Sequence, residues 1–320
     1  MSPIIKTGAR AVTPKVETPP SVVPAATTEV PPTPTNTLGP PLVKRTALSL
    51  QVFNDIEQGS DEWFAARCGI VTASVVGQLV SSRQPSAIEV DCPECGASAA
   101  DPCTGKRSPG PLKTLHSARA AVARGMERVI AADLNNDTAR GLIAHLAAER
   151  ITGYVEPTPT SRDMERGNLD EPYAREVYSE RYAPVTELGF MVGEFDGCRI
   201  GYSPDGLVGD DGLIEIKSRK QKIQLKAFLN DEVPLENMAQ IQTGLLVSGR
   251  EWLDYVSYNG GMPPYVKRVY PDRKWHDAII AAVETAEEAI TEMIDTYLKR
   301  TAGNPPTERI DHYLEMDISL

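Results

Sequence analysis

One segment near the middle of the chain constrains its fold more than any other. It reads S-P-D-G-L at 203–207 and, after a short gap, L-I-E-I-K at 213–217. The proline and glycine beside Asp205 predict a turn, and the isoleucine and leucine around Glu215 predict a strand. Because residues two apart on a strand share a face, Glu215 and Lys217 can face Asp205 across a hairpin. The pattern therefore predicts that two carboxylates and an ammonium group meet at one point.

This combination of charges favours metal-dependent hydrolysis of a phosphodiester. Hard cations such as Mg²⁺ are held by a few oxygen ligands together with water and phosphate, so Asp205 and Glu215 suit metal binding. Lys217 would orient an attacking water or help to deprotonate it. The same residues are also compatible with a solvated, charged strand on a surface hairpin, so the neighbouring motifs have to decide.

Three further motifs lie on either side of this segment. Residues 166–175 read R-G-N-L-D-E-P-Y-A-R, which places Glu171 in the first turn of an expected helix. Downstream, N-M-A-Q-I-Q at 237–242 opens a second amphipathic helix, and upstream Q-G-S-D-E-W at 58–63 leads into R-C-G-I-V-T-A-S at 67–74. In this order the four motifs resemble the YqaJ-like viral recombinases, the family of lambda-type exonucleases, from about Gln58 to about Tyr270.

The resemblance implies a PD-(D/E)xK nuclease that uses Mg²⁺ to degrade one strand of duplex DNA from its 5′ end, leaving 3′ overhangs. One or two Mg²⁺ ions are implied, and Mn²⁺ is expected to substitute. Carried over by position, the implied ligands are Glu171, Asp205, Glu215 and the backbone carbonyl of Ile216. The resemblance also implies that Lys217 is the catalytic lysine, that Gln240 orients it or the water, and that Arg67 and Ser74 bind the terminal 5′ phosphate.

Each of these assignments has a plainer alternative. Glu171 could simply favour the dipole at a helix N-terminus. Gln240 and Gln242 are two residues apart and cannot share a helix face, so one of them is expected on the surface. Arg67 could be a solvated helix arginine and Ser74 an ordinary residue at a helix N-terminus, because phosphate contacts leave little trace in a sequence.

An insertion at 90–117 interrupts the resemblance and carries its own pattern. Cys92 and Cys95 are spaced C-x-x-C, and Cys103 and His116 follow, which fits a four-coordinate Cys₃His zinc site. The intervening glycines and prolines offer almost no apolar core, so a structural Zn²⁺ would supply the organising energy. The segment resembles small zinc-binding modules of actinobacterial and actinophage proteins. A disulfide or incidental cysteines are the alternatives.

The sequence shows no signal peptide and no apolar stretch long enough to cross a membrane. We therefore expect a cytoplasmic protein without membrane contact, located in a bacterial host cell. In a reducing compartment a C-x-x-C pair more often binds metal than forms a disulfide. The other two of the five cysteines, Cys68 and Cys198, lack such spacing and are expected to be packed thiols.

The first 45 residues differ in composition from the remainder. Ten of the 26 prolines fall before Val43, among threonines and valines. Such a stretch cannot bury enough apolar surface to fold, which predicts a disordered tail at 1–45 and a nuclease domain at 46–320. The tail could be a linker or an interaction segment.

Periodicity predicts an α/β core with a central mixed sheet flanked by helices, and the resemblance implies that this is a PD-(D/E)xK core. The closing segment 275–300 has one apolar stripe, expected to pack in the core or between subunits. The other predicted helices are 61–67, 72–81, 117–134, 138–152, 171–182 and 236–247, and the predicted strands are 187–194, 198–203, 212–217, 252–258 and 264–270.

The net charge of −11 is unusual for a protein that binds DNA, because duplex affinity comes largely from neutralising phosphates. Locally, however, a basic run lies beside the predicted site. It either follows the DNA backbone or is a solvated helix face. Its members are Lys217, Arg219, Lys220, Lys222 and Lys226.

Together these features lead to the hypothesis of a double-strand DNA exonuclease from a phage or prophage recombination system. The expected partners are duplex DNA ends and a single-strand annealing protein, and the resemblance is compatible with a homo-oligomeric ring. A related endonuclease or repair nuclease is one alternative. A catalytically idle module that binds DNA ends is the other, and the intact Glu171, Asp205, Glu215 and Lys217 argue against it.

Overall fold

The computed structural model describes residues 47–105, 110–157 and 161–309. The predicted tail at 1–45 and the last residues lie outside this part. The strands are β1 Ser49–Phe53, β2 Val71–Thr72, β3 Val80–Arg83, β4 Val129–Ala132, β5 Val185–Thr186, β6 Phe190–Phe195, β7 Cys198–Tyr202, β8 Gly206–Val208, β9 Gly212–Ser218, β10 Trp252–Tyr258 and β11 Tyr265–Val269. The helices are α1 Asp61–Arg67, α2 Ser117–Gly125, α3 Asp137–Thr152, α4 Arg162–Arg181, α5 Gln221–Asn230, α6 Leu235–Ser248 and α7 Arg273–Thr301.

Two mixed sheets form the centre of the fold. The larger has the strand order β11-β10-β9-β8-β5, in which β9 and β10 are parallel and the other pairs antiparallel. The smaller has the order β1-β6-β7-β2, with β2 and β7 parallel. Helices pack around these sheets, so the predicted α/β architecture with a mixed sheet is confirmed.

The two faces of β9 bury different clusters. Leu213 belongs to the main core, which α3, α6 and α7 share with the sheets. Ile214 and Ile216 point the other way and pack with Ala174 and Tyr178 of α4. This alternation fixes the register of β9, because a slip of one residue would exchange its buried faces. It also places Glu215 and Lys217 together on the face of Leu213.

The closing helix α7 follows its predicted stripe for most of its length. Its buried side chains include Ile279, Val283 and Ile290, while Ile294 is only partly buried and Leu298 is exposed. In the described residues the stripe therefore packs against the core of this chain. No described helix is long and apolar enough to span a membrane.

Two predicted helices are wrong in part. The segment 72–81 forms the end of β2, a short 3₁₀ turn and the start of β3 rather than a helix. Its β-branched residues pair instead: β2 adds to β7, and β3 pairs with β4. The predicted helix 117–134 ends at Gly125, and β-branched Val129 and Ile130 continue it as β4.

Candidate active site and zinc-binding module

The turn before β8 is joined directly to β9. The backbone N–H of Ile216 donates to Oδ2 of Asp205 at 2.6 Å. Glu215, the residue before it, is fully buried in the middle of β9. The hairpin anticipated from the sequence therefore exists, and one hydrogen bond fixes the Asp205 carboxylate against the strand that carries Glu215 and Lys217.

Lys217 lies between a carboxylate and an amide. Its Nζ donates to Oε1 of Glu215 at 2.7 Å and to Oε1 of Gln240, on α6, at 3.0 Å. Burial lowers the pKa of Lys217, but the negative charges of Glu215 and Asp205 outweigh this and raise it above its usual value. The lysine is therefore a protonated group held in one position by two acceptors.

Gln242, two residues after Gln240 on α6, makes different contacts. Gln242 is buried, and its Nε2 donates to the carbonyl of Tyr270 at 2.9 Å while its Oε1 accepts from the N–H of Asp272 at 2.8 Å. The two glutamines of α6 thus point to different places, as their spacing requires. Gln242 fastens the start of α7 and is not the surface residue expected from the sequence.

Glu171 lies in the middle of α4, so its predicted place in the first turn of a helix is wrong. The helix begins at Arg162, where the Ser161 hydroxyl accepts from the N–H of Met164, and Pro172 is accommodated inside it. The helix-dipole interpretation of Glu171 fails for the same reason. Glu171 instead forms an ion pair with Arg175, one turn later on the same helix.

Arg175 was not predicted, although it ends the R-G-N-L-D-E-P-Y-A-R motif. It reaches across to the turn before β8, where its Nε donates to the carbonyl of Asp205 at 2.8 Å. It also pairs with exposed Glu187 at 2.8 Å. Arg175 therefore ties the helix that carries Glu171 to the loop that carries Asp205.

The three carboxylates repel one another. Burial and then the charges of Glu215 and Glu171 raise the pKa of Asp205 well above its usual value. Burial raises the pKa of Glu171 too; Arg175 opposes this, and Glu215 adds to it. Oε2 of Glu215 is buried without a hydrogen-bond partner in the described part of the chain. A buried, unpaired carboxylate oxygen beside two other carboxylates fits the chemistry of a divalent cation.

Tyr202, at the end of β7, also contributes to this environment. It is fully buried, its hydroxyl has no hydrogen-bond partner among the described residues, and Gly244 of α6 leaves space for its ring. Burial, followed by the charges of Glu215 and Asp205, raises its pKa well above the usual value. Sequence reasoning missed Tyr202, because β7 belongs to the smaller sheet and Glu215 to the larger one, and no pattern in the sequence links the two.

Helix α1 lies beside the same turn. Nε1 of Trp63 donates to the hydroxyl of Ser203 at 2.8 Å, and the guanidinium of Arg67 stacks on the Trp63 ring, 4.2 Å from its centroid. Burial lowers the pKa of Arg67, with Glu149 opposing the shift. Arg67 is therefore not the solvated helix arginine of the alternative interpretation. The Trp63 side chain, which contacts both, connects Arg67 to the segment Ser203-Pro204-Asp205.

Ser74 follows the short strand β2. Its hydroxyl lies 3.0 Å from that of Thr72, and the residue is exposed. It does not begin a helix, so the alternative given for Ser74 is wrong, while its proposed phosphate contact stays a prediction.

The basic run divides into two kinds of residue. Arg219 is partly buried and donates to the side chain of Asn237 at 2.7 Å, whereas Lys220 is exposed and pairs with Asp163 at 3.1 Å. Lys222 and Lys226 are exposed on α5. The exposed members are open to solvent and follow the strand that carries Glu215 and Lys217.

The insertion brings its four predicted ligands together. The Sγ atoms of Cys92, Cys95 and Cys103 and one ring nitrogen of His116 all lie within 4.8 Å of one another. Bonds of about 2.3 Å to a central Zn²⁺ would separate two ligands by roughly 3.8 Å, so the group has the size of a zinc site. Nδ1 of His116 is 3.4 Å from the Cys92 sulfur, and its Nε2 faces Glu94 at 3.7 Å.

The local backbone favours the thiolate form of one cysteine in this group. The N–H groups of Thr104 and Ala97 lower the pKa of Cys95 to about 6, which favours the thiolate that binds metal. Burial raises the pKa of Cys92. Gly96 adopts a left-handed conformation with φ of 73°, which closes the turn after the C-x-x-C pair. All five cysteines are free thiols, so the disulfide alternative is wrong.

The sequence profile of the YqaJ-like viral recombinase domain matches residues 62–251, more than half of the chain. This chain belongs to that family. Among curated proteins, none is significantly similar to this YqaJ-like protein.

Two similar solved structures have a sequence identity to this chain of more than a quarter. An alkaline exonuclease from Laribacter hongkongensis is 28% identical with a TM-score of 0.53, and the match covers 76% of this chain and 98% of that chain. The same exonuclease in complex with dAMP is 26% identical over the same shares of each chain, with a TM-score of 0.54. The YqaJ-like chain therefore shares the fold of an exonuclease along nearly all of that enzyme.

Proposed function

We propose that this YqaJ-like protein is a Mg²⁺-dependent exonuclease that degrades one strand of duplex DNA from the 5′ end and leaves 3′ single strands. The observation that carries the proposal is the position of Lys217 between Glu215 and Gln240, beside Asp205. Family membership and the similarity to an alkaline exonuclease support it. The complex of that neighbour with dAMP, a deoxynucleoside monophosphate, supports a mononucleotide product.

In this proposal Glu171, Asp205, Glu215 and the carbonyl of Ile216 hold the metal, whether one ion or two, and Mn²⁺ can replace Mg²⁺. When bound, the cation would stabilise negative charge on the phosphate and lower the pKa of a water. Lys217 would orient that water, and Gln240 restricts the lysine to one position. Arg175 keeps Glu171 and the Asp205 turn at a fixed separation.

Two further sites belong to the proposal. Arg67 and Ser74 contact the terminal 5′ phosphate, and the stacking of Arg67 on Trp63, which is itself bonded to Ser203, supports a location near the reacting strand. The insertion at 90–117 holds a structural Zn²⁺ through Cys92, Cys95, Cys103 and His116.

We also propose the biological setting that the family suggests. The enzyme would act in phage or prophage recombination in the cytoplasm of a bacterial host and pass its 3′ strand to a single-strand annealing protein. A ring of identical subunits around the duplex would keep the enzyme on its substrate.

Linear and closed circular forms of one plasmid test the proposal. With Mg²⁺, the purified protein should digest the linear form to mononucleotides and leave the closed circle intact, and a chelator should stop the reaction. Cutting of the closed circle would assign an endonuclease instead. Binding of linear ends without any digestion in Mg²⁺ or Mn²⁺ would assign an idle end-binding module.

A further inference from the structure

The zinc-binding module contains a buried arginine whose surroundings are unusual. Arg119 lies in the first turn of α2, three residues after His116, and its side chain is fully buried. Its guanidinium donates to four backbone carbonyls and approaches one sulfur. The acceptors are Val90 O at 2.7 Å, Asp101 O at 2.7 Å, Ser98 O at 2.6 Å, Ile88 O at 3.2 Å and Cys103 Sγ at 3.6 Å.

These contacts join the segments on both sides of the C-x-x-C turn. Ile88 and Val90 precede Cys92, whereas Ser98 and Asp101 lie between Cys95 and Cys103. One side chain thus holds the segment before Cys92 and the segment between Cys95 and Cys103 against helix α2. Because the segment has little apolar core, these hydrogen bonds provide part of the stabilisation that apolar packing provides in larger cores.

The charge of Arg119 is not balanced by any described carboxylate. No acidic side chain in the described residues lies within ion-pair distance of it, and its carbonyl acceptors are neutral. A buried cation without a counter-charge is strongly unfavourable even when its hydrogen bonds are satisfied. A negative charge close to Arg119 is therefore needed to explain its burial.

The cysteine cluster would provide that charge once it holds metal. Three thiolates, one neutral imidazole and Zn²⁺ sum to a net charge of about −1. The Cys103 sulfur, one of the four ligand atoms, is the atom that Arg119 approaches. We infer that Arg119 is the internal counter-charge of the zinc centre, a positioning residue that lies against the Cys103 sulfur while it ties together the segments before and after the C-x-x-C pair. The inference rests on the proposed zinc site.

Substitution separates the charge of Arg119 from its hydrogen bonds. Arg119→Gln keeps a donor but loses the charge, and Arg119→Lys keeps the charge with fewer donors. Arg124→Gln, an exposed arginine on the same helix, is the matched control. Zinc affinity of the full-length variants is measured by competition with a chromophoric chelator. We expect Arg119→Gln to bind zinc roughly 10- to 100-fold more weakly, Arg119→Lys to keep most of the affinity, and the control to match the wild type.

The rate at which zinc is released to excess chelator provides a second readout that does not depend on nuclease activity. Without the neighbouring cation the net negative charge of the zinc cluster is not compensated, so Arg119→Gln should release zinc faster than the wild type. Arg119→Lys should not show this increase. The charge assignment is overturned if the glutamine variant binds zinc as tightly as the wild type, or if the lysine variant is weakened as much as the glutamine variant.

Failure of the proposed zinc site would give a different result from failure of the charge assignment. A wild-type protein purified without chelators that holds no stoichiometric zinc would overturn the zinc site itself and with it the role of Arg119. The nuclease proposal would be unaffected, because its carboxylate cluster is built from other residues.

Discussion

Asp205 combines two features that conflict in the absence of metal. Its Oδ2 accepts from the N–H of Ile216, which favours the ionised form, yet burial and two neighbouring carboxylates raise its pKa. Such a residue is expected to cost stability and to serve function. The same reasoning applies to Glu215, whose second oxygen is buried without a partner in the described residues.

Asp205→Asn should therefore separate activity from stability. The amide oxygen can still accept from Ile216, but the loss of a ligand charge should reduce kcat at least about a thousandfold, equivalent to roughly 4 kcal/mol. In a chelator the variant should melt at the same temperature as the wild type or higher, because a repelled charge has been removed. Digestion at the wild-type rate would contradict the assignment of Asp205 as a ligand.

Lys217 is predicted to act on the water rather than on the cation. Lys217→Ala should reduce turnover by about 10²- to 10⁴-fold at saturating Mg²⁺ and leave metal affinity much less changed. Gln240→Ala should reduce turnover by roughly tenfold, because it removes one hydrogen bond to the ammonium group. The measurements are turnover on linear duplex across a Mg²⁺ titration. A lysine variant with full turnover would make Lys217 merely structural.

The raised pKa values of Asp205 and Glu171 give the metal-free protein a definite pH dependence. A carboxylate with a raised folded pKa contributes stability that is complete below its unfolded value, near 3.8 for Asp205, and is lost as the pH rises through the folded pKa. Mg²⁺ competes with these protons. The increase in Tm caused by Mg²⁺ should therefore grow from acidic to alkaline pH, as thermal melts with and without the ion would measure. An increase that is independent of pH would contradict this account.

At the scale of the secondary-structure elements, the sequence predicted the site best where its chemistry is local. Glu215 and Lys217 alternate along one strand, so their shared face could be read directly from spacing. Contacts between distant elements left no such pattern. The bond from Trp63 to Ser203 joins residues 140 positions apart, and the one from Arg175 to the Asp205 carbonyl spans 30.

The errors in the predicted elements have equally specific causes. Glu171 was expected in the first turn of a helix, whereas Ser161 caps α4, which begins at Arg162, nine residues before Glu171. The pairing partners of β2 and β3 override local helix-like periodicity at 72–81. Strand β1 at Ser49–Phe53 was not predicted, because it closely follows the proline-rich segment at 1–45, whose composition predicts no regular structure.

Helix α1 is the element that should read the DNA end. Arg67→Ala should lessen the preference for a 5′-phosphorylated end over a 5′-hydroxyl end, because a guanidinium binds phosphate oxygens in a geometry that no uncharged side chain reproduces. Arg181→Ala, at the end of α4, is a control for the loss of one positive charge. The measurement is the ratio of initial rates on the two substrates. An unchanged ratio in the Arg67 variant would remove Arg67 from the phosphate site.

At the scale of the whole molecule, the negative net charge is compatible with DNA binding at the candidate site. The net charge of −11 disfavours indiscriminate coating of DNA, while Lys220, Lys222 and Lys226, which follow β9 in the sequence, are exposed. The Cys₃His group is separate in sequence and in its residues from the sheet that carries the carboxylate cluster. The fold thus carries a group that could hold a metal ion and, apart from it, the carboxylate cluster for which we propose Mg²⁺.

The polarity of digestion tests the central claim most directly. A linear duplex is labelled either at its 5′ or at its 3′ ends and incubated with the protein and Mg²⁺, and the release of labelled mononucleotide is followed. We predict early release of the 5′ label, retention of the 3′ label on a long single strand, and neither reaction with Asp205→Asn. Early release of the 3′ label, or equal release from both ends, would contradict it.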